Sequence, residues 1–83
     1  MKLLYFAWLR AKIGKGEETI EPPAEIATVA ALVEWLKTRG PGFAAALKDA
    51  KLVRVAVNRE YVGFEHPIAP GDEVALFPPM TGG

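Results

Sequence analysis

The chain has 83 residues, 51% of them hydrophobic, and its ten basic and ten acidic side chains cancel to a formal net charge of zero. This length predicts one small domain, the hydrophobic content argues against disorder, and the charge balance argues against a nucleic-acid or anionic-membrane surface. The chain has no cysteine, which excludes disulfides, thiolate zinc sites and a thiol nucleophile. Its single histidine, His66, precedes a proline in a predicted loop and cannot form a two-histidine metal site.

The N-terminal segment predicts two strands that form a hairpin. The aromatic and branched residues of Lys2 to Leu9 predict a strand, and a helical turn is expected at Arg10 to Ile13. After the connection Gly14-Lys15-Gly16, a shorter strand is predicted at Glu17 to Glu21, before two prolines end it. The first run is far shorter than the roughly 20 apolar residues of a membrane span, and no signal-peptide cleavage site follows it. We therefore expect a cytoplasmic protein.

Two helices are predicted next. Thr28 is a suitable N-cap, and Gly40-Pro41 supplies a stop after a basic last turn. Between them one apolar stripe recurs at the spacing i, i+3, i+4 and i+7, at Val29, Leu32, Val33 and Leu36. The segment from Gly42 to Ala50, which contains Phe43, Ala46 and Leu47, predicts a second, shorter helix or a helical turn.

The C-terminal half predicts three more strands. Leu52 to Val57 alternates as a half-buried strand, Tyr61 to Phe64 predicts a short edge strand, and Glu73 to Phe77 predicts the last one. Pro70-Gly71 fits the centre of a type II turn, because glycine tolerates the positive φ that this turn requires. The order of elements predicts an α+β domain, a mixed sheet packed on one main helix plus a short second helix. We assign residues 1–77 to this domain and residues 78–83 to an extended tail.

The first predicted strand is apolar on both faces, although a single helical layer covers only one face of a sheet. We expect the set Leu4, Phe6 and Trp8 to face outward as a protein-docking patch. Ala75 and Phe77 would extend this patch, and three basic residues would rim it, Lys2, Arg10 and Arg54. The alternative is a central strand whose second face is covered by loops and long charged side chains.

The tail is the most informative segment. Gly82 and Gly83 carry no Cβ, so the end of the chain would fit a passage that any side chain would block. Its carboxylate would then be a handle for another enzyme's chemistry. The preceding Pro78-Pro79 favours an extended backbone. The alternative is an idle terminus of small residues.

Four segments together resemble one family. They are Phe6-Ala7-x-x-Arg10, Ala56-Val57-Asn58, Gly71-Asp72-Glu73-Val74-Ala75 and the terminal FPPMTGG. In this order they are similar to the small subunit of molybdopterin synthase, a ubiquitin-like β-grasp sulfur carrier of the MoaD/ThiS type. The resemblance implies that an E1-like enzyme adenylates the tail with ATP. A sulfur donor, either a cysteine desulfurase or a sulfurtransferase, would then convert the terminus to a thiocarboxylate. The tail would next enter the large subunit of a heterotetrameric synthase and sulfurate cyclic pyranopterin monophosphate, forming the molybdopterin dithiolene.

The resemblance also implies roles for individual residues. Gly83 would carry the adenylate and then the thiocarboxylate, and Gly82 would keep the tail slim. The implied partner-binding residues are Phe6, Arg10, Tyr61, Phe77, Pro78, Pro79, Met80 and Thr81. No metal or bound cofactor is implied, and the catalytic side chains are expected on the large subunit. The alternatives are a sulfur carrier for thiamine thiazole synthesis or tRNA thiolation, a ubiquitin-like protein modifier, and a plain β-grasp interaction domain.

Overall fold

The computed structural model describes residues 1–79, which form a five-stranded mixed sheet packed against three helices. The strands are Lys2–Tyr5 (β1), Glu17–Thr19 (β2), Arg54–Val57 (β3), Glu60–Val62 (β4) and Glu73–Phe77 (β5). The helices are Ala7–Ile13 (α1), Val29–Lys37 (α2) and Pro41–Leu47 (α3), and a 3₁₀ turn covers Ala50–Leu52.

The sheet has the strand order β2-β1-β5-β3-β4. The central pair, β1 and β5, is parallel, whereas the other three pairings are antiparallel. The predicted mixed sheet, the β1–β2 hairpin and the edge position of β4 are therefore confirmed. This order places the end of β5, from which the tail follows, in the middle of the sheet between the ends of its two neighbours.

The core lies between the helices and one face of the sheet. Side chains alternate along each strand, so that Leu3, Tyr5, Val74 and Leu76 all point to this inner face and are at most 1% exposed. The predicted stripe of α2 packs onto the same core, with all four of its members buried. The three predicted apolar residues of α3 are buried as well. Helix spacing and strand alternation therefore identified most of the core.

The local signals for α2 and for the last turn are confirmed. The Oγ1 of Thr28 accepts a hydrogen bond of 3.2 Å from the Ala31 N–H, which is an N-cap interaction. Gly71 has a φ of 93°, and the Asp72 N–H donates to the carbonyl of Ala69 at 3.1 Å, as the predicted Pro-Gly turn requires. The carboxylate of Asp72 accepts from the Ala69 N–H and from the Asn58 amide, and these hydrogen bonds lower its pKa.

The prediction that the first strand runs to Leu9 was wrong. The strand ends at Tyr5, and the following residues form α1, because Leu9 and Ile13 lie one helical turn apart and both pack on the core. Gly14 ends this helix in the left-handed region with a φ of 95°, where glycine avoids the steric cost of a Cβ. Trp8 therefore belongs to a helix and does not share the outer face of the sheet with Leu4.

Several strand boundaries also differ from the prediction by a few residues. The second strand ends at Thr19, before Ile20 turns into the core, and β3 begins at Arg54, since the 3₁₀ turn occupies the residues before Val53. The edge strand β4 begins at Glu60 and ends at Val62. Residues 1–79 contain three helices, and the predicted helical turn at Arg10 to Ile13 is the second half of the additional one, α1.

A polar brace joins β1, β2 and the segment after α2. The Tyr5 hydroxyl donates to the Oε2 of Glu18 at 2.5 Å, and Nη1 of Arg39 donates to the same oxygen at 2.7 Å. The Arg39 guanidinium also stacks over the rings of Trp35 and Phe43, at 5.5 and 5.0 Å from their centroids. Burial alone would raise the pKa of Glu18, but the hydrogen bonds from Arg39 and Tyr5 outweigh it, so the pKa lies below its ordinary value.

We expect the variant Glu18→Gln to lower the free energy of unfolding at pH 7 by about 1–3 kcal/mol, the range for hydrogen bonds to a charged group. Because the pKa of Glu18 is lower in the folded state, its stabilisation is present above the unfolded pKa of about 4.3 and is lost as the pH falls through the folded pKa. Urea unfolding between pH 7 and pH 2 measures both effects, and the variant should show a shallower acid-side loss.

The matched control is Glu17→Gln. The Glu17 side chain is 67% exposed and its only described ion pair, with Lys2, is long at 3.8 Å. This substitution should change stability by no more than about 0.5 kcal/mol. Equal losses in the two variants, or equal sensitivity to acid, would show that the brace contributes nothing specific.

Candidate partner-binding site

The outer face of the sheet carries an apolar row. Leu4, Ala75, Ala56 and Tyr61 are cross-strand neighbours in register over β1, β5, β3 and β4. Leu4, Ala56 and Ala75 point away from the helices, because the residues on either side of each along its strand are buried in the core. Tyr61 is opposite Ala56 in the register and therefore shares this face. The two central positions are alanines, so the middle of the row is shallow and is bordered by larger side chains.

Three members of this row, Ala75, Ala56 and Tyr61, line a groove of about 420 Å³, which we call the outer groove. Its lining consists of Phe6, Ala7, Ala56, Arg59, Tyr61, Ala75, Phe77, Pro78 and Pro79. The rings of Tyr61 and Phe77 are in tilted contact, with their centroids 5.5 Å apart. Tyr61 is 83% exposed and Phe6 is 47% exposed. Exposed aromatic side chains gathered in one groove are typical of a protein-docking surface.

The outer groove lies where the tail begins. Phe77 ends β5 and is followed directly by Pro78 and Pro79, both of which line the groove. A proline has no backbone N–H and cannot continue the ladder of a central strand, so the sheet ends here. The predicted site residues Met80, Thr81, Gly82 and Gly83 lie outside the described residues.

Most of the predicted partner-binding residues within the described part come together. The outer groove gathers five of them, Phe6, Tyr61, Phe77, Pro78 and Pro79. Arg10 does not line this groove: it is exposed on α1, and its guanidinium lies against Gly16, where a Cβ would be 2.9 Å from Cζ. Of the predicted basic rim, Lys2 and Arg54 are on the outer face of the sheet and Arg10 is not.

Arg59 was not predicted to belong to the site. It lines the outer groove from the β3–β4 hairpin, in which Asn58 and Arg59 have φ angles of 51° and 71°. These angles are typical of a two-residue type I′ turn, for which an asparagine between two strands is a sequence signal. Recognition of that turn would have fixed the register of β4 and placed Arg59 beside Tyr61.

The described lining of the outer groove is mostly apolar. The described lining of the outer groove consists of aromatic, proline and alanine side chains with one arginine. Within residues 1–79, no three acidic or histidine side chains are grouped so as to hold a metal ion. The same part of the chain contains no helix with the length and hydropathy of a membrane span. The lining of the groove suits apolar docking beside the base of the tail.

Comparison with known proteins places this arrangement in a family. Residues 3–83 match the model of the ThiS family. The whole chain is 43% identical to the molybdopterin synthase sulfur carrier subunit of Escherichia coli, covering 99% of it, and 38% identical to the human protein of the same name, covering 93%. The structure of a putative molybdopterin converting factor subunit 1 from Pyrococcus furiosus has a TM-score of 0.75 at 38% identity, with 95% of each chain covered, which confirms the ubiquitin-like β-grasp fold. The chain therefore belongs to the ThiS family, together with the sulfur carrier subunits of molybdopterin synthase.

Proposed function

We propose that this chain is the sulfur carrier subunit of a molybdopterin synthase. The observation that carries the proposal is the match to proteins of that name over nearly their whole length. The position of the outer groove supports it, because a docking surface at the base of the tail suits a protein whose chain end is handled by others.

The reacting group in this proposal is the carboxylate of Gly83. A carboxylate is a poor electrophile at neutral pH, so the chain end is first adenylated: it attacks the α-phosphorus of ATP and releases pyrophosphate. The outer sulfur of a persulfide on the donor then attacks the acyl adenylate and displaces AMP, which gives an acyl disulfide linked to the donor. A thiol reductant cleaves its S–S bond, which releases the donor thiol, oxidises the reductant to a disulfide and leaves a thiocarboxylate on the chain. Its sulfur is a soft nucleophile, as the sulfur of a cysteine thiolate is. Sulfur held on the chain end also suits a protein that has no cysteine.

In this proposal the outer groove binds the partner, and the tail extends from it into the partner's active site. The aromatic side chains of the outer groove would bind the partner, and Pro78-Pro79 would lose little conformational entropy when the tail is ordered. Gly82 and Gly83 would let the backbone enter a narrow active site. The catalytic side chains that use the thiocarboxylate to sulfurate cyclic pyranopterin monophosphate would lie on the large subunit.

The proposal implies three partners. They are the large subunit in a heterotetramer, an E1-like activating enzyme that consumes ATP, and a cysteine desulfurase or sulfurtransferase as donor. The name of the relatives, a carrier subunit of a synthase, supports the first of these. We propose that the chain and these three partners act in the cytoplasm.

Intact-mass spectrometry tests the proposal. We expect the chain, incubated with activating enzyme, ATP and sulfur donor, to gain the mass difference between one sulfur and one oxygen. The gain should disappear without ATP. No gain would indicate an interaction domain with an idle tail, and conjugates on lysine side chains would indicate a protein modifier. A loaded chain that sulfurates a thiazole precursor or tRNA, but no pterin, would indicate one of the other carrier pathways.

A further inference from the structure

Arg54 occupies a particular position on the outer face. It is in cross-strand register with Phe77, the last residue of β5 before the tail. Together with Val55, Tyr61, Val62 and Phe77 it lines a second groove of about 240 Å³, which we call the arginine groove. The Tyr61–Phe77 ring pair lines both this groove and the outer groove. A partner that covers the ring pair therefore also covers Arg54.

Two other basic side chains on this face, Lys2 and Arg59, each have a carboxylate within 4 Å. Lys2 is 3.8 Å from Glu17, and Arg59 is 3.9 Å from Glu73. Within residues 1–79, the Arg54 guanidinium has no carboxylate partner, and its one hydrogen bond is a 3.5 Å contact from Nη1 to the carbonyl of Val53. That distance is at the limit of a hydrogen bond. The arginine groove contains no acidic side chain among its described lining residues.

A partner that docks onto this face would bury the positive charge of the Arg54 guanidinium, which then needs a negatively charged group beside it. Covering a guanidinium without a compensating anion costs several kcal/mol, whereas a bidentate carboxylate restores its hydrogen bonds and its charge balance. In the proposed function the carboxylate of Gly83 is engaged in the partner's active site. The compensating group must therefore come from the partner.

We propose that Arg54 is a partner-binding residue that pairs with a carboxylate of the synthase large subunit, beside the point where the tail leaves the sheet. This inference rests on the proposed function and specifies its docking surface: an apolar pocket for Tyr61 and Phe77 with an acidic side chain opposite Arg54. Because Arg54 and Phe77 are direct neighbours in register, the ion pair also orients the base of the tail relative to the partner.

The test is the affinity of the purified large subunit, from the same source organism, for variants of this chain. We expect Arg54→Gln to weaken binding by about 10- to 100-fold, the range for loss of a charge-assisted hydrogen bond. Arg54→Lys keeps the charge but not the bidentate fork, so it should lose less affinity. The affinity of Arg54→Gln should also depend less steeply on salt concentration than that of the unaltered chain.

Lys51→Gln is the matched control, because it removes one positive charge from an exposed residue that lines neither groove. Its affinity should stay within about twofold of the unaltered chain. Unchanged affinity and unchanged salt dependence in Arg54→Gln, with a normal melting temperature, would overturn the inference. An unaltered chain that does not bind the large subunit at all would overturn the proposed function, and this inference with it.

Discussion

Removing Gly82 and Gly83 is expected to abolish sulfur loading and pterin sulfuration while leaving the melting temperature within about 2 °C of that of the intact chain. The core formed by the described residues extends from Leu3 to Leu76, and a glycine has no side chain that could be buried in it. The loss of function has a chemical reason, because the proposed acceptor of both AMP and sulfur is the carboxylate of Gly83.

Two measurements check this result, the intact mass after incubation with activating enzyme, ATP and donor, and thermal unfolding by circular dichroism. A chain extended by one alanine beyond Gly83 is the control, because it keeps every native residue and moves only the carboxylate. It should also fail to load unless it is trimmed. Sulfur loading of the truncated chain would contradict the proposed role of Gly83, and a large drop in melting temperature would show that the deleted residues stabilise the fold.

Replacing Phe77 with lysine is expected to weaken binding to the large subunit at least about 100-fold. Phe77 contacts Tyr61 and lines both grooves, so the variant removes one half of the aromatic pair. It also adds a second cation directly opposite Arg54 in the strand register. If the same face serves the activating enzyme, its affinity should fall in parallel, which titration of each partner measures.

Leu52→Lys is the control for this substitution. Leu52 is an apolar residue that is 46% exposed, more than the half-buried Phe77, but it lies in the 3₁₀ turn and lines neither groove. Its affinity for both partners should stay within about threefold of the unaltered chain. Equal losses in the two variants would point to a general effect of added charge, and unaltered affinity of the Phe77 variant for both partners would remove the outer face from the docking model.

The elements that were predicted well carry their own local signals. Helix α2 has an N-cap at Thr28 and a regular apolar stripe, and β5 follows a turn that needs glycine at position 71. The first half of helix α1, Ala7 to Leu9, was assigned to a strand because its aromatic and branched residues also suit one, whereas the second half was expected as a helical turn at Arg10 to Ile13. The last bond between β1 and β5 runs from the Phe6 N–H to the carbonyl of Leu76, and the strand ends where Ala7 takes a positive φ of 55°. The parallel pairing joins β1 to a strand about 70 residues away, so the local sequence does not show where it stops.

The sequence predicted most of the residues that form the outer groove, but it did not predict how they lie relative to one another. Alternation places Ala75 and Phe77 on the opposite face from Val74 and Leu76, and the resemblance to the family named Phe6 and Tyr61. Their proximity follows from a strand order that only long-range pairing determines. Trp8 and Arg10 do not line the groove: both lie on α1, of which only the first residue, Ala7, is part of the lining.

Transfer of a labelled sulfur tests the central claim most directly. The chain is loaded with a heavy sulfur isotope from a labelled donor, freed of donor and activating enzyme, and mixed with the large subunit and cyclic pyranopterin monophosphate. We predict that the heavy isotope appears in the dithiolene product and that the chain returns to its unloaded mass. Product that contains only unlabelled sulfur, or a label that stays on the protein while product forms, would contradict a carrier role.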